Sequence, residues 1–447
     1  MALSGIQIYK LLPRTNCKDC GFPTCLAFAM KLAAKQVELS ACPFVSESSK
    51  AELAESSAPP IRLVSIKSNG YEVKAGNEVV LYRHDKTFYN RPGMFIRLKD
   101  TESTEAISAK VSEADAYKVS YVGMDLTMDG FAVEAASGDP GKFSSAIQTV
   151  RTRSKRPLIL ITSEPSVAES GLKQLAGESP LLCGATTGNW EGLAELAKQY
   201  QASLVVKGNS LEEIVDLTDK IKAKGVENLV IEPTASGQSS QLALNTQIRR
   251  LALKNFRQLG FPTLAMVCNA GNPDRELNHA VQAIAKYTGF VVLSDFKPEA
   301  VYPLLVLRQN IFTDPQKPIQ VTPGLYEINS PKPQDPVLVT TNFSITYFSV
   351  ANEVESSGLP AWLLVVDAEG MSVLTAWAAG KFDAERIAKA VKTFNVAEKI
   401  SRKRLVIPGH VAVLYGDLEE ALAGWEIRVG PREAVDLPSY MKKALGN

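Results

Sequence analysis

Along the middle of the chain, short apolar runs alternate with amphipathic stretches: GMFIRL (93–98), KVSYVGM (118–124), PLILIT (157–162), PLLCGA (180–185), SLVVKG (203–208), NLVIEP (228–233), PTLAMVC (262–268) and FVVLSD (290–295). Runs this short, rich in Val, Ile and Leu and separated by helical periodicity, read as buried parallel strands joined by helices. Eight such units within residues 61–322 predict a closed (β/α)8 TIM barrel, whose ordinary size is ~250 residues. Ahead of them, IRLVSIKSNGYEVKAGNEVVLYRH (61–84) alternates apolar and polar positions and is broken by Asn69-Gly70 and Gly76-Asn77, pairs that suit tight turns. It predicts a hairpin that caps one end of the barrel. Beyond residue 336 the alternation resumes, with strands VLVTTNF (337–343), AWLLVVD (361–367), RLVIPG (404–409) and WEIRVGP (425–431), and helices over 344–358, 371–380, 383–394 and 417–424. That order predicts an open, doubly wound α/β domain.

Two polar, proline-rich stretches divide these patterns. SESSKAELAESSAPP (46–60) ends in two prolines and TPGLYEINSPKPQDP (322–336) contains four, which is linker chemistry. The expected organisation is a small N-terminal module over 1–60, the barrel with its hairpin cap over 61–322, and a linker with the α/β domain over 323–447. At 447 residues the chain exceeds the ~250–300 at which a single core stops growing. Its 49 Lys and Arg balance 48 Asp and Glu, and no long run of one sign occurs, so neither nucleic acid nor a membrane surface is an expected partner. The start MALSGIQIYKLLPRTNC has no signal-peptide core, and no segment reaches the ~18–20 apolar residues of a membrane span. A soluble, cytoplasmic protein is expected.

In that compartment a cysteine cluster points to metal binding or catalysis before disulfides. Four of the six cysteines, Cys17, Cys20, Cys25 and Cys42, fall in one stretch with spacing C-x2-C-x4-C-x16-C, and Pro43 follows the last. Four thiolates suit a cubane [4Fe–4S] cluster, and a Cys-Pro ending also closes the bacterial ferredoxin run. A structural zinc site also takes four cysteines, although usually as two short knuckles, so that alternative stays open. Helix-forming residues between Cys25 and Cys42 bring the chain back to the first three thiols, and Gly21-Phe22-Pro23 suits a tight turn. Cys183 and Cys268 lie inside apolar runs and read as core.

Other chemistry is sparse. In open α/β sheets ligands lie beyond the strand C-termini, which here are Thr340-Thr341-Asn342, Glu369-Gly370-Met371-Ser372, Gly409-His410 and Gly430-Pro431. Hydroxyls and free backbone N–H groups at these loops suit a ligand rimmed with amides and a phosphate, and equally suit plain helix capping. GDPGKFSS (138–145) is no phosphate loop, because two residues rather than four separate its glycines and Phe143 stands where Ser or Thr would hold Mg2+. No convergent His, Cys and carboxylate set is visible among the barrel's loops, so a scaffold role is expected there.

The run CKDCGFPTCLAFAMKLA (17–33) and the order and lengths of the remaining segments closely resemble the large (gamma) subunit family of the corrinoid iron–sulfur protein, the methyl carrier of the acetyl-CoA (Wood–Ljungdahl) pathway. The resemblance implies a [4Fe–4S] cluster on Cys17, Cys20, Cys25 and Cys42, and a corrinoid (cobalamin) in the last domain. It carries the corrinoid contacts to Thr340, Thr341, Asn342, Thr346, Gly370, Met371, Ser372, Val373, Leu374, Gly409 and Gly430. The familiar Asp-x-His-x-x-Gly loop is absent and His410 has no Asp two residues before it, so a base-off corrinoid with no protein histidine ligand is expected. The implied role is a carrier subunit within a methyltransferase system rather than a stand-alone enzyme. Co(I) would take a methyl group from methyltetrahydrofolate through a separate methyltransferase and deliver it to acetyl-CoA synthase, while the cluster returns oxidised Co(II) to Co(I). Implied partners are a small subunit in a heterodimer, those two enzymes, and a ferredoxin or reductive activator. Two rivals stand beside this: a ferredoxin-like electron-transfer or scaffold subunit without corrinoid, and a barrel methyltransferase that binds the folate itself.

Overall fold

The computed structural model describes residues 4–34, 36–50, 53, 59–121, 124–314 and 319–445. The chain divides into two units, Met1–Tyr117 with Met128–Phe312, and Lys118–Thr127 with Thr313–Asn447. Among the described residues no helix is long and apolar enough to cross a membrane.

The first unit opens with a small module. Ser4 caps the helix Gly5–Leu11, which packs on the helix Cys25–Ala33. Ile8, Leu12, Phe28, Ala29 and Val45 form its apolar centre. Strands β1 (Val64–Ser68) and β2 (Tyr71–Ala75) then make the expected hairpin, with Asn69 at φ 46° and Gly70 at φ 89°, the left-handed pair of a type I′ turn. Its alternation places Val64, Ile66, Val73 and Ala75 in one cluster with the barrel's interior Phe95, Ile159, Leu181, Val205 and Phe290. Lys67 bridges to Ser179, just before a barrel strand begins, so the hairpin plugs the N-terminal end of the barrel.

The barrel begins with β3 (Gly93–Lys99). The next run, expected as the second barrel strand, instead gives β4 (Lys118–Tyr121) and β5 (Met124–Thr127), an antiparallel pair belonging to the second unit. The barrel position falls to β6 (Gly130–Glu134). Burial explains the exchange: none of the residues of β4 is buried, whereas four of the five in β6 are, as a strand covered on both faces requires. Gly130 starts β6 because a Cβ there would strike the Pro157 carbonyl and the Phe95 ring. The remaining staves are β7 (Leu158–Ile161), β8 (Leu181–Ala185), β9 (Ser203–Gly208), β10 (Leu229–Pro233), β11 (Thr263–Ala265) and β12 (Thr288–Leu293), closed in the order β10-β11-β12-β3-β6-β7-β8-β9.

In the second unit β13 (Gly324–Ile328), β14 (Val337–Thr341), β15 (Ala361–Val366), β16 (Arg404–Ile407) and β17 (Glu426–Val429) form a sheet ordered β13-β15-β14-β16-β17. The expected tether 322–336 thus carries a strand, β13, paired antiparallel with β15 along its whole length. Asn329 fixes its exit, donating to the Val354, Glu355 and Leu359 carbonyls, and its φ of 56° turns the chain back. Proline content hid an edge strand whose backbone needs only one partner. Apolar clusters lie on both faces of the sheet, one around Leu364, Phe382, Ile387 and Leu405, the other around Leu338, Val354, Leu363 and Val406. The domain is doubly wound, and its connections reverse direction between β14 and β16.

Candidate functional site

That reversal leaves a cleft. The C-terminal halves of β14 and β16, the helix Ser344–Ser357 and the loops after Asp367, Ile407 and Val429 enclose about 310 Å3. Open α/β sheets bind ligands at this kind of switch point. Thr340 forms part of the wall, is 0% exposed, and its Oγ1 has no hydrogen-bond partner. A buried, unmatched hydroxyl costs ~1–3 kcal/mol; Thr341 Oγ1, next along β14 but outside the cleft wall, is unmatched as well. Thr346, Ser349 and Ser372 add hydroxyls to the wall, and Ile345 (66% exposed) and Leu374 (45%) give it an apolar rim. Phe343, the N-cap of the helix Ser344–Ser357, supplies no side-chain cap to the helix's first N–H groups.

Of the eleven positions expected to touch a corrinoid, Thr340, Thr346, Ser372, Val373, Leu374 and Gly430 line the cleft. Thr341, Asn342, Gly370, Met371 and Gly409 do not. Asn342 is a staple instead: its Oδ1 accepts from the N–H groups of Ala368 (2.9 Å) and Gly370 (3.0 Å), while its Nδ2 donates to Gln320 and Asp367. It holds the loop that presents Ser372. Gly409 allows the ends of β16 and β17 to meet, since a Cβ would lie 2.6 Å from the Gly430 carbonyl oxygen. Residues that sequence reasoning passed over join the wall: Ile345, Ser349, Arg432 and Glu433. His410, from one of the expected loops, also lines it, with Nε2 3.6 Å from Glu433 Oε1. Helical spacing in SITYFSV could have found Ile345 and Ser349, which share a face with Thr346.

The four cysteines of the N-terminal module are all free thiols. Cys25 and Cys42 are buried, Cys20 borders the same apolar cluster, and Cys17 is exposed. The loop between is shaped by left-handed residues Asn16, Lys18 and Gly21, and Asn16 Oδ1 accepts the Cys25 N–H at 2.8 Å. Thr24 caps the helix that starts at Cys25, and Phe22 leans on Phe28 with ring centres 5.6 Å apart. Among the described residues no three His, Cys, Asp or Glu side chains converge on one point. Three of the four thiols, those of Cys20, Cys25 and Cys42, border one apolar centre, and Cys17 stands outside it.

The open end of the barrel holds a second cleft of about 580 Å3. Among the described residues no set of three or more His, Cys, Asp or Glu converges there, but one carboxylate has close partners. Glu232, at the end of β10, lies 3.4 Å from Lys207 Nζ and accepts from the Cys183 thiol at 3.4 Å. Burial pushes the Glu232 carboxyl upward against the pull of Lys207. It also raises Cys183 well above its usual value, and Cys268 to about 12, so both thiols stay protonated and are poor nucleophiles. The rejected phosphate loop is likewise self-satisfied: Asp139 Oδ1 accepts from the N–H groups of Gly141 (2.7 Å) and Lys142 (3.0 Å).

A family model described as "CO dehydrogenase/acetyl-CoA synthase delta subunit" matches residues 63–441, and one described as "Putative Fe-S cluster" matches 12–44. The corrinoid/iron-sulfur protein large subunit of Moorella thermoacetica is 43% identical, with 100% of both chains covered. The chain belongs to this large-subunit family. The acetyl-CoA decarbonylase/synthase complex subunit gamma of Methanopyrus kandleri is 34% identical over 99% of this chain and 98% of its own, and that of Archaeoglobus fulgidus is 34% identical over 98% of each. Among solved structures, dihydropteroate synthase from Thermus thermophilus is similar at 16% identity and a TM-score of 0.39, covering 57% of this chain and all of its own. A likeness at that level carries no functional weight.

Proposed function

We propose that this chain is the large subunit of a methyl carrier, holding a corrinoid in the β14–β16 cleft and a [4Fe–4S] cluster on Cys17, Cys20, Cys25 and Cys42. The observation that carries the corrinoid assignment is the unpartnered Thr340 hydroxyl at the topological switch point, in a chain of this family. When bound, the corrinoid supplies a cobalt nucleophile for methyl transfer and the cluster supplies single electrons to restore it. The chain's own residues do the rest. Thr340, Thr346 and Ser372 offer hydroxyls to peripheral amides, Leu374 and Ile345 cover apolar edges, and Asn342 fixes the loop that carries Ser372. No residue of the cleft is assigned as a cobalt ligand, and His410 Nε2 lies 3.6 Å from Glu433 Oε1; the family resemblance implies that a corrinoid held here would be base-off. The remaining face of the group meets a small subunit. Methyltetrahydrofolate, through its methyltransferase, supplies the methyl group, acetyl-CoA synthase receives it, and a ferredoxin or reductive activator supplies electrons.

The test is metal analysis with an absorption spectrum on anaerobically purified full chain co-expressed with its small subunit. About four irons and one cobalt per chain are expected, with a corrinoid band that changes on reduction. Iron without cobalt, with corrinoid supplied, overturns the carrier reading in favour of an electron-transfer subunit. Cys20→Ala should leave methyl transfer from pre-reduced cobalt intact and abolish reactivation. The barrel mouth supports a second reading, in which buried Glu232 and Lys207 hold a folate directly; calorimetric titration of the full chain with methyltetrahydrofolate decides it.

A further inference from the structure

Between β2 and β3 the chain runs through residues 76–92 without helix or strand, a long excursion for a connection inside a compact domain. Its ends are tied together. Glu78 Oε1 accepts from the N–H groups of Tyr89 (2.9 Å) and Asn90 (3.0 Å), and Asn90 Nδ2 donates to the Gly76 carbonyl (2.8 Å). That closure makes 77–91 an Ω-loop. Phe88 anchors it inward against Tyr287 and Phe312, while Val79, Tyr82 and Tyr89 stay exposed. At its foot the Asn77 N–H donates to the Ile61 carbonyl, where the chain arrives from the cysteine module.

The tie leaves charge unmatched. Glu78 is 6% exposed, yet its Oε2 has no hydrogen-bond partner. Arg249, on the helix Gln238–Leu253, is 4% exposed and lies 4.7 Å from the Tyr287 ring centre and 5.5 Å from that of Phe88, with its Nε unmatched too. Both residues line a cavity of about 30 Å3, and among the described residues no ion pair joins them. Tyr287, also in that wall, holds φ at 76°, which a bulky side chain seldom adopts. A carboxylate buried in this way loses more hydration than two N–H donors and a distant guanidinium return, so burial raises the Glu78 pKa.

We propose that Glu78 is a proton-controlled latch on the loop 77–91: with its proton the carboxyl stays inside and the loop is shut, and without it the carboxylate is drawn to water and the loop opens more often. The proton passes to solvent and no other group changes charge. Of the other groups around the cavity only Arg249 and Tyr287 titrate. Burial lowers Arg249 to about 10 and raises Tyr287, so both keep their charge below pH ~9. A carboxyl with a higher pKa in the shut state holds its proton more tightly there, and opening therefore grows as pH rises through that raised value. Opening frees Phe88 and loosens the hold of Asn77 on Ile61.

Amide hydrogen exchange of the full chain in complex with its small subunit, read by mass spectrometry, tests this. After correction for the intrinsic pH dependence of exchange, peptides from 77–91 should open at least about threefold more often near pH ~8 than near pH ~5.5, while those from β7 stay flat. Glu78→Gln keeps an acceptor for Tyr89 and Asn90 without a charge, and should hold the loop at its low-pH protection throughout. A flat profile in the unaltered chain overturns the proposal, and means that a bridging water already serves the buried carboxylate. A rise that persists in Glu78→Gln, or that β7 shares, overturns it as well, assigning the opening to another group or to the whole unit. Where the variant fails to fold, the profile of the unaltered chain still decides.

Discussion

The barrel and the open sheet are written in the same alphabet of short Val, Ile and Leu strands alternating with helices, yet only one keeps room for a ligand among its core strands. In the barrel the sheet closes on itself, the hairpin of β1 and β2 fills one end, and Phe95, Ile159, Leu181, Val205 and Phe290 fill the middle. In the open sheet the chain leaves β14 toward β15, returns on the other side at β16, and the two connecting segments part. The gap they leave contains Thr340, a fully buried hydroxyl with nothing to bond. Ligand space of this kind comes from connectivity and not from composition, and the barrel's own polar mouth lies beyond its packed interior.

The contrast can be broken hardest in the barrel. Arg308, 2% exposed on its side chain, pairs with Asp129 and donates to the Pro92 carbonyl at 2.9 Å. Arg308→Met leaves Asp129 without its buried partner and should cost about 3–5 kcal/mol in chemical denaturation of the first unit, with corrinoid bound per folded chain unchanged. A cost below about 1 kcal/mol would mean that the closed sheet does not depend on that pair. Next in size, Asn342→Ala frees the N–H groups of Ala368 and Gly370 and should cost about 1–3 kcal/mol, with corrinoid affinity falling about tenfold by absorbance titration.

Thr340→Val sharpens the comparison because its two effects differ in sign. Removing an unmatched hydroxyl should leave stability unchanged or raise it by up to about 1 kcal/mol, while corrinoid affinity drops about two- to tenfold. Equal affinity would show that the ligand does not use the hydroxyl. The smallest effect belongs to the barrel's plug. A hydrogen bond from Ser65, with Lys74 and Lys67 nearby, lowers the Glu72 carboxyl from its usual 4.5 to about 2. A depressed carboxylate stabilises the fold above the ordinary pKa and loses that contribution as pH falls from about 4.5 toward 2. Glu72→Gln should flatten the melting temperature of the first unit across that window.

Much of this architecture was legible in the chain. Seven of the eight runs marked as staves become strands of the barrel, because a strand buried on both faces must be apolar throughout. The eighth, 118–124, was misread because alternation and continuous burial look alike over four residues, and GFAVE was missed because its first position is a glycine demanded by close packing. Asn69-Gly70 announced its turn through the φ values that only a few residues accept. The cleft was half legible. Loops at strand ends pointed to Thr340, Ser372 and Gly430, whereas Arg432 and Glu433 reach the same wall only because β17 lies next to β16, a neighbour relation that no local pattern records.

The antiparallel pair of β4 and β5 has a practical consequence for anyone who wishes to take the molecule apart. Tyr121 and Met124 pack in the second unit against a cluster that includes Ile328, Leu338 and Val365, although they are encoded between two elements of the first. A fragment cut at residues 61 and 322 would carry this hairpin without most of the surface that shields it, and would present bare aromatic and thioether groups to solvent. Excision of the barrel therefore calls for a short polar loop in place of 118–127, and the excised α/β domain needs that hairpin supplied in trans or fused to its end. The two units are separable genes only after such an edit.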